Sequence, residues 1–325
     1  MWSGGSPVKG QSPYNKIMER IFKDKKYKSV LAVITSIGWS LAYPFIKLGY
    51  QEFQIASDDL GGKILFAGVR FFMAGLFVTL FCVFRKYRLG MKDRHDLLWL
   101  ILLALVNTTL HYMFAYIGLG YNPSARSTIL DSLGGFILIF LSWMVFADDK
   151  MTSSKIIGCL LGLAGILVVN IEPGANYFDN ITFRGDGMIL LNALFSALGG
   201  LLTRIVSKKM HIMPATGLSM MFGGAVLLLI GAVIGQAAPW VISVKGLLIL
   251  LVLIMISAVC FAIYNELLAW HPISKIAIYT ALIPVLGVIF AALILKEELK
   301  WQYFLSVLLV SAGIYLVNRE KRGRR

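Results

Sequence analysis

The chain has 325 residues, 58% of them hydrophobic, and a formal net charge of +14 at pH 7, with a mean hydropathy of +0.76. One soluble core of this length cannot hide that much apolar surface, so composition excludes an ordinary globular protein and points to a polytopic helical membrane protein. The basic residues sit in the N-terminal segment, the Arg85–Arg94 loop and the Arg319–Arg325 tail. That placement fits topology control by cytoplasmic charge and not a phosphate-binding surface, so no nucleic-acid partner is expected.

Residues 1–28 read as a cytoplasmic tail. Met1 to Ser12 is rich in Gly, Ser and Pro and predicts disorder. Tyr14, Ile17, Met18, Ile21 and Phe22 follow at spacings of three and four among Lys16, Arg20 and Lys23. That is an apolar stripe with a basic opposite face, as in a short helix lying on a membrane surface. No signal-type cleavage site follows the first apolar run, so that run is expected to remain as an anchor.

A membrane-spanning helix needs about 20 apolar residues, and by that rule the chain holds roughly ten. They are Ser29–Tyr50, Gly62–Phe84, Leu97–Leu119, Pro123–Phe146, Ser154–Ile171, Gly185–Ser207, Pro214–Gln236, Lys245–Leu268, Pro272–Leu295 and Trp301–Val317. An even number puts both termini on one side, and the basic segments make that side cytoplasmic. The opposite loops carry Glu52, Asp58, Asp59, Glu172 and Asp179. Pro123 and Pro272 start spans, where a missing N–H costs little. Pro44 and Pro284 fall inside spans and predict kinks. Gly158 with Gly162, and Gly231 with Gly235, place small residues one turn apart for close helix contact. Cys82, Cys159 and Cys260 each lie in an apolar run. Their odd count and spacing predict buried core residues, with neither a disulfide framework nor a metal site.

The first five spans (29–171) repeat in the second five (185–318), across a linker at 172–184, with a basic tail at 319–325. Ser124 through Gly135 can be laid on Ser274 through Val285, and Ala164-Gly165-Ile166 on Ala312-Gly313-Ile314. Lys47, late in the first span, falls on Arg204, late in the sixth. Five is odd, so the second copy enters from the opposite side. The fold class is therefore an all-α integral membrane protein of two inverted five-helix repeats. Carriers use this plan, with the substrate near the midplane where the halves meet.

Gly38-Trp39, Lys47, Arg70, the Ser274–Pro284 stretch, Lys296-Glu297-Glu298-Leu299 and the Ala-Gly-Ile endings together resemble the ten-helix, EamA-type members of the drug/metabolite transporter superfamily. The resemblance runs from about Lys28 to Asn318 and implies a cell-membrane carrier of small organic molecules, often outward. The first repeat departs from the pattern. Gly134 stands where a proline is expected, Asp148-Asp149 stands where an acidic-Glu turn is expected, and Asp131 is unusually deep.

At 1.5 Å per residue, Asp131, His111 and Arg70 each lie roughly 12 Å from the outer end of a different span, and Asn192 slightly less. Four polar groups thus share one level near the middle of the membrane. An ionised carboxylate there pairs with a cation or takes a proton and becomes neutral. Asp131 is either a proton-exchanging group or a static partner of Arg70 or His111. His111 is either a proton shuttle or a bonded core residue. Arg70 either neutralises Asp131, the reading the sequence favours, or meets an anionic substrate group. Trp39, Tyr43 and Tyr112 can line an aromatic pocket or simply pack. Asn107 offers neutral hydrogen bonds, and Glu266, near the cytoplasmic end of the eighth span, is a gate candidate. Lys296, Glu297 and Glu298 read as a surface turn.

A secondary carrier of amino acids, amines or related metabolites fits these features best, working by alternating access with proton coupling as one mode. The competing readings are a lipid-modifying membrane enzyme and a membrane scaffold subunit. No Gly-x-x-x-x-Gly-Lys loop and no His-Glu-x-x-His motif occurs. No catalytic residue, cofactor or metal is therefore expected. The expected partners are a small-molecule substrate and the lipid bilayer, in a monomer or homodimer.

Overall fold

The computed structural model describes residues 20–91, 93–146, 151–168, 181–234, 240–271, 273–280 and 282–318. Within them the chain is helical. The elements are α1 (Lys25–Glu52), α2 (Leu60–Phe84), α3 (Arg94–Tyr121), α4 (Ser124–Val145), α5 (Ser153–Val168), α6 (Phe183–Val206), α7 (Ile212–Ile234), α8 (Val244–Trp270), α9 (Ile273–Thr280), α10 (Leu282–Leu295) and α11 (Trp301–Asn318). Seven of these, α1 to α4 and α6 to α8, are long and apolar enough to cross a membrane, while α5, α10 and α11 are shorter apolar helices. The chain is a multi-pass membrane protein. Most of the stripe in the N-terminal tail, Asp148-Asp149, Glu172, Asp179, Gly235, Pro272 and the basic tail lie outside the described residues. Phe22 is buried, and its carbonyl accepts from His271 Nε2 at 2.8 Å. The segment just before α1 is thereby tied to the end of α8.

The packing has the symmetry expected of two interchanged repeats. Exchange α1 with α6, α2 with α7, α3 with α8, α4 with α9–α10, and α5 with α11. The contact of α1 with α8 then becomes that of α6 with α3, and α1 with α10 becomes α6 with α4. Two contacts map onto themselves, α2 with α7 and α5 with α11, and these are the most extensive in the molecule. The result is two facing walls, one of α1, α8 and α10, the other of α6, α3 and α4.

Glycine explains why α2 and α7 approach so closely. Gly61, Gly68 and Gly75 recur every seven residues on α2, and Gly217, Gly224 and Gly231 do so on α7. The helices run antiparallel, and each ladder meets the other's backbone. A Cβ on Gly75 would stand 2.7 Å from both the Gly217 carbonyl oxygen and the Met221 Cα. Small residues permit this approach in lipid, where dispersion between backbones replaces the hydrophobic effect between helices.

Two helices are interrupted partway along their length. In α3 a π turn covers Leu105–Leu110, the kind of irregularity that often sits at functional sites. Thr109 Oγ1 donates to the Gly223 carbonyl at 3.1 Å, and the Asn107 side chain packs over Gly199 of α6. The helical run of α4 breaks at Ser132, just beyond Asp131, and Ser132 Oγ donates back to the Ile129 carbonyl at 2.5 Å. Around the matching position between α9 and α10, α1 serves the carbonyls. Ser36 Oγ donates to Tyr279 O at 2.8 Å and Ser40 Oγ to Ile283 O at 3.3 Å.

Candidate functional site

Between the two walls lies a cavity of about 130 Å³, lined by residues of α1, α2, α3, α4, α6, α8, α9 and α10. On the same measure one water needs roughly 10–15 Å³, so the space suits a small organic molecule or a cluster of waters. Its apolar side is aromatic. Trp39 stands edge-on to Phe261 at 5.6 Å and to Tyr264 at 4.7 Å between ring centroids. Tyr112 packs on Phe71 at 3.8 Å.

Eight of the nine residues picked from the sequence line this one cavity: Trp39, Tyr43, Arg70, Asn107, His111, Tyr112, Asp131 and Asn192. Glu266 does not. It accepts from Trp270 Nε1 at 3.1 Å, one turn along α8, and its neighbour Asn265 faces the cavity instead. Adjacent helical residues point about 100° apart, so Glu266 faces away from the cavity that Asn265 lines. Phe261, Tyr264, Ser132, Ser196 and Thr280 also line the space. The Gly134-Gly135 pair beside Ser132 was the available signal for the break, but nothing in the sequence marks the second aromatic wall on α8.

The expected Asp131–Arg70 and Asp131–His111 pairs do not form. Asp131 is half-buried. Asn192 Nδ2 donates to its Oδ1 at 2.5 Å, and the Tyr43 hydroxyl stands beside the carboxyl group. Both partners are neutral, one from each wall. Arg70 is 1% exposed, and its donors are drawn toward α8 and α3. Nε donates to Ser257 Oγ at 2.7 Å and to Leu253 O at 3.1 Å, and Nη1 donates to Tyr116 OH at 2.9 Å. These partners are neutral as well. A carboxyl and a guanidinium group therefore border one cavity with no ion pair between them. His111 is held by its own helix, with Nδ1 3.2 Å from the Asn107 carbonyl oxygen and its ring stacked on Tyr112 at 4.2 Å. With Nδ1–H donating to that carbonyl, a neutral ring keeps Nε2 as an acceptor.

Tyr116 is itself fixed, since its carbonyl accepts from Tyr50 OH at 2.7 Å. Removing its hydroxyl leaves a buried guanidinium one acceptor short. Tyr116→Phe should therefore lower unfolding stability by about 1–3 kcal/mol, measured as a drop in the thermal midpoint in detergent.

Among the described residues no group of three or more His, Cys, Asp or Glu side chains could hold a metal ion. What the cavity offers is recognition: one anionic and one cationic group, amide and hydroxyl side chains, and flat aromatic faces.

Comparison with known proteins places this geometry in context. The model of the EamA-like transporter family matches the chain twice, over residues 27–171 and 183–319. An uncharacterized transporter of Bacillus subtilis, YvbV, is 26% identical over 309 residues, covering 93% of this chain and 94% of its own. A probable amino-acid metabolite efflux pump of Escherichia coli is 25% identical, covering 88% of this chain and 93% of its own. A WAT1-related chloroplastic protein of Arabidopsis thaliana is 27% identical over 79% of this chain and 63% of its own. A protein of solved crystal structure shares the fold, with a TM-score of 0.66 at 14% identity over 88% of this chain and 95% of the other.

Proposed function

The chain belongs to the EamA-like transporter family, and from that premise we propose that it carries small amphoteric amines, amino acids foremost, through the central cavity by alternating access. Asp131 and Arg70 carry the reading: opposite charges on one aromatic cavity, each bonded to neutral groups and not to the other. Unpaired charges at this depth are costly and call for a counter-charge. An amino acid brings both, an ammonium for Asp131 and a carboxylate for Arg70. Its side chain would rest among Trp39, Tyr112 and Phe261, whose faces also favour cations. The similarity to the Escherichia coli protein, a probable amino-acid metabolite efflux pump, supports the same substrate class. The chemistry is carriage, with no bond made or broken. The basic segments fit a carrier with both termini in the cytoplasm, and on this reading it works in the cell membrane, with export or exchange as the direction.

Asp131 is also the proton-exchanging group of this reading. It can take a proton without abandoning a cation, because no cation holds it.

A thermal-shift screen of amino acids, amines and carboxylates tests the reading. A true ligand at 100 times its dissociation constant stabilises the fold by about 2.7 kcal/mol. Amino acids should shift the midpoint more than either the matching amine or the matching carboxylate. Equal, null shifts for all three classes at saturating concentration would end the proposal.

A further inference from the structure

One carboxylate joins the two walls at the face where α3 turns into α4. α10 ends at Leu295, and Lys296 adopts the left-handed region with φ 56°. That turn carries Glu297 back to the start of α4. Its two oxygens accept from the backbone N–H of Ser124 at 2.7 Å and of Ala125 at 3.0 Å. These are the first N–H groups of α4, and the preceding Pro123 provides no side-chain cap. Helix-start N–H groups have no partner within the helix and carry partial positive charge, so a carboxylate suits them twice over. Glu297 follows α10, on the wall of α1 and α8, and Ser124–Asp131 packs on that helix, where Thr128 meets Gly287. The same end of α4 is also fastened to the opposite wall. There Arg126 Nε donates to Asp186 of α6 at 2.8 Å, and Asn122 Nδ2 donates to the same oxygen at 3.2 Å.

Two further facts couple this cap to the cavity. The segment it holds, Ser124–Asp131, ends at the cavity carboxylate and at the break at Ser132. Lys47 lies one residue past the cavity-lining Ile46 on α1, within electrostatic reach of Glu297.

We propose that Glu297 is a latch that holds this end of the cavity shut by capping α4 from the facing wall. The cavity opens to that face when the carboxylate leaves Ser124 and Ala125, and Lys47 is placed to receive it. The latch rests on the cavity being the substrate path, as proposed above.

The test uses the full chain in proteoliposomes of defined orientation, with Ile46→Cys as reporter and a charged, membrane-impermeant maleimide as probe. Labelling of the three native cysteines is subtracted as background. Labelling from the α3–α4 face should rise about five-fold in Glu297→Ala, the factor that corresponds to losing one helix cap. It should rise less in Glu297→Gln, which keeps one acceptor, and stay unchanged in Glu298→Gln, whose exposed carboxylate is the neighbouring control. Lys47→Met should slow labelling, because the released carboxylate loses its receiver. Parent-like rates in both Glu297 variants and in Lys47→Met, with unaltered elution profiles, would overturn the latch. Unchanged labelling in protein that still carries substrate sinks the latch alone. Altered labelling in protein that carries none of the tested substrates sinks the carrier reading alone.

Discussion

Asp131→Asn protein will still bind its ligand and will no longer respond to a pH gradient. The carboxamide matches the carboxylate in shape and keeps an oxygen for Asn192 Nδ2 and the Tyr43 hydroxyl, so the cavity should retain its form. What it loses is the ability to take and release a proton as the cavity faces each side. Had Asp131 been locked to Arg70, protonation would have meant breaking an ion pair, and the residue would have been a structural strut. Its partners are neutral, so the proton has no competitor fixed in place. Gradient-driven accumulation should fall by roughly ten-fold or more, the equivalent of about 1.4 kcal/mol. Ligand-induced thermal stabilisation should persist, weakened only by the lost ammonium contact. Paired uptake and thermal-shift measurements on the same preparation separate these effects, and an unaltered gradient response would remove Asp131 from the coupling.

The largest loss of stability is expected at the α2–α7 crossing. A Cβ on Gly224 would stand 2.8 Å from the Phe72 Cα and 2.9 Å from the Phe71 carbonyl carbon. These are backbone atoms and cannot swing aside as a side chain end would. Gly224→Val must push apart helices that meet along their whole length, at the crossing that both repeats share. The cost should be about 3 kcal/mol, at the upper end of the usual range for overpacking, and enough to shift a marginally stable protein toward aggregation during extraction. Gly135→Ala is the contrast: its nearest neighbour would be Thr280 Oγ1 at 3.7 Å, an ordinary contact. That variant should melt within a degree or two of the parent, a change of about 0.5 kcal/mol.

Hydropathy made the spans legible, because each backbone polar group in lipid must be satisfied within its own helix and long apolar runs leave no other solution. The first span, expected at Ser29–Tyr50, extends over Lys25–Glu52, since Asp24 accepts from Lys26 N and caps the start. The grouping of the polar residues was legible too: counting residues from span ends put Arg70, His111, Asp131 and Asn192 at one level, and all four line the cavity. Azimuth was not. Counting rises along a helix says nothing of which way a side chain faces, which is why Asn265 lines the cavity and its neighbour Glu266 does not. The Arg70–Asp131 pair is missing because each side chain is held by neutral groups. The π turn at Leu105–Leu110 had no compositional mark. The seven-residue glycine ladders were visible in the sequence, but their meaning depends on a partner helix some 150 positions away. Glu297 read as part of a surface turn because its partners are backbone N–H groups of another repeat, which no local pattern reveals.

The central claim is that the cavity between the two walls is the path taken by substrate. Ser196 lines that cavity and is half-buried, so Ser196→Trp should fill it with an indole while leaving the crossings of α2 with α7 and α5 with α11 untouched. The deciding measurement is counterflow of a labelled amino acid into proteoliposomes preloaded with the unlabelled compound. Saturable exchange by the native chain, and background exchange by a Ser196→Trp protein of native elution profile, is the predicted result. Exchange by the filled variant at the native rate would contradict the account.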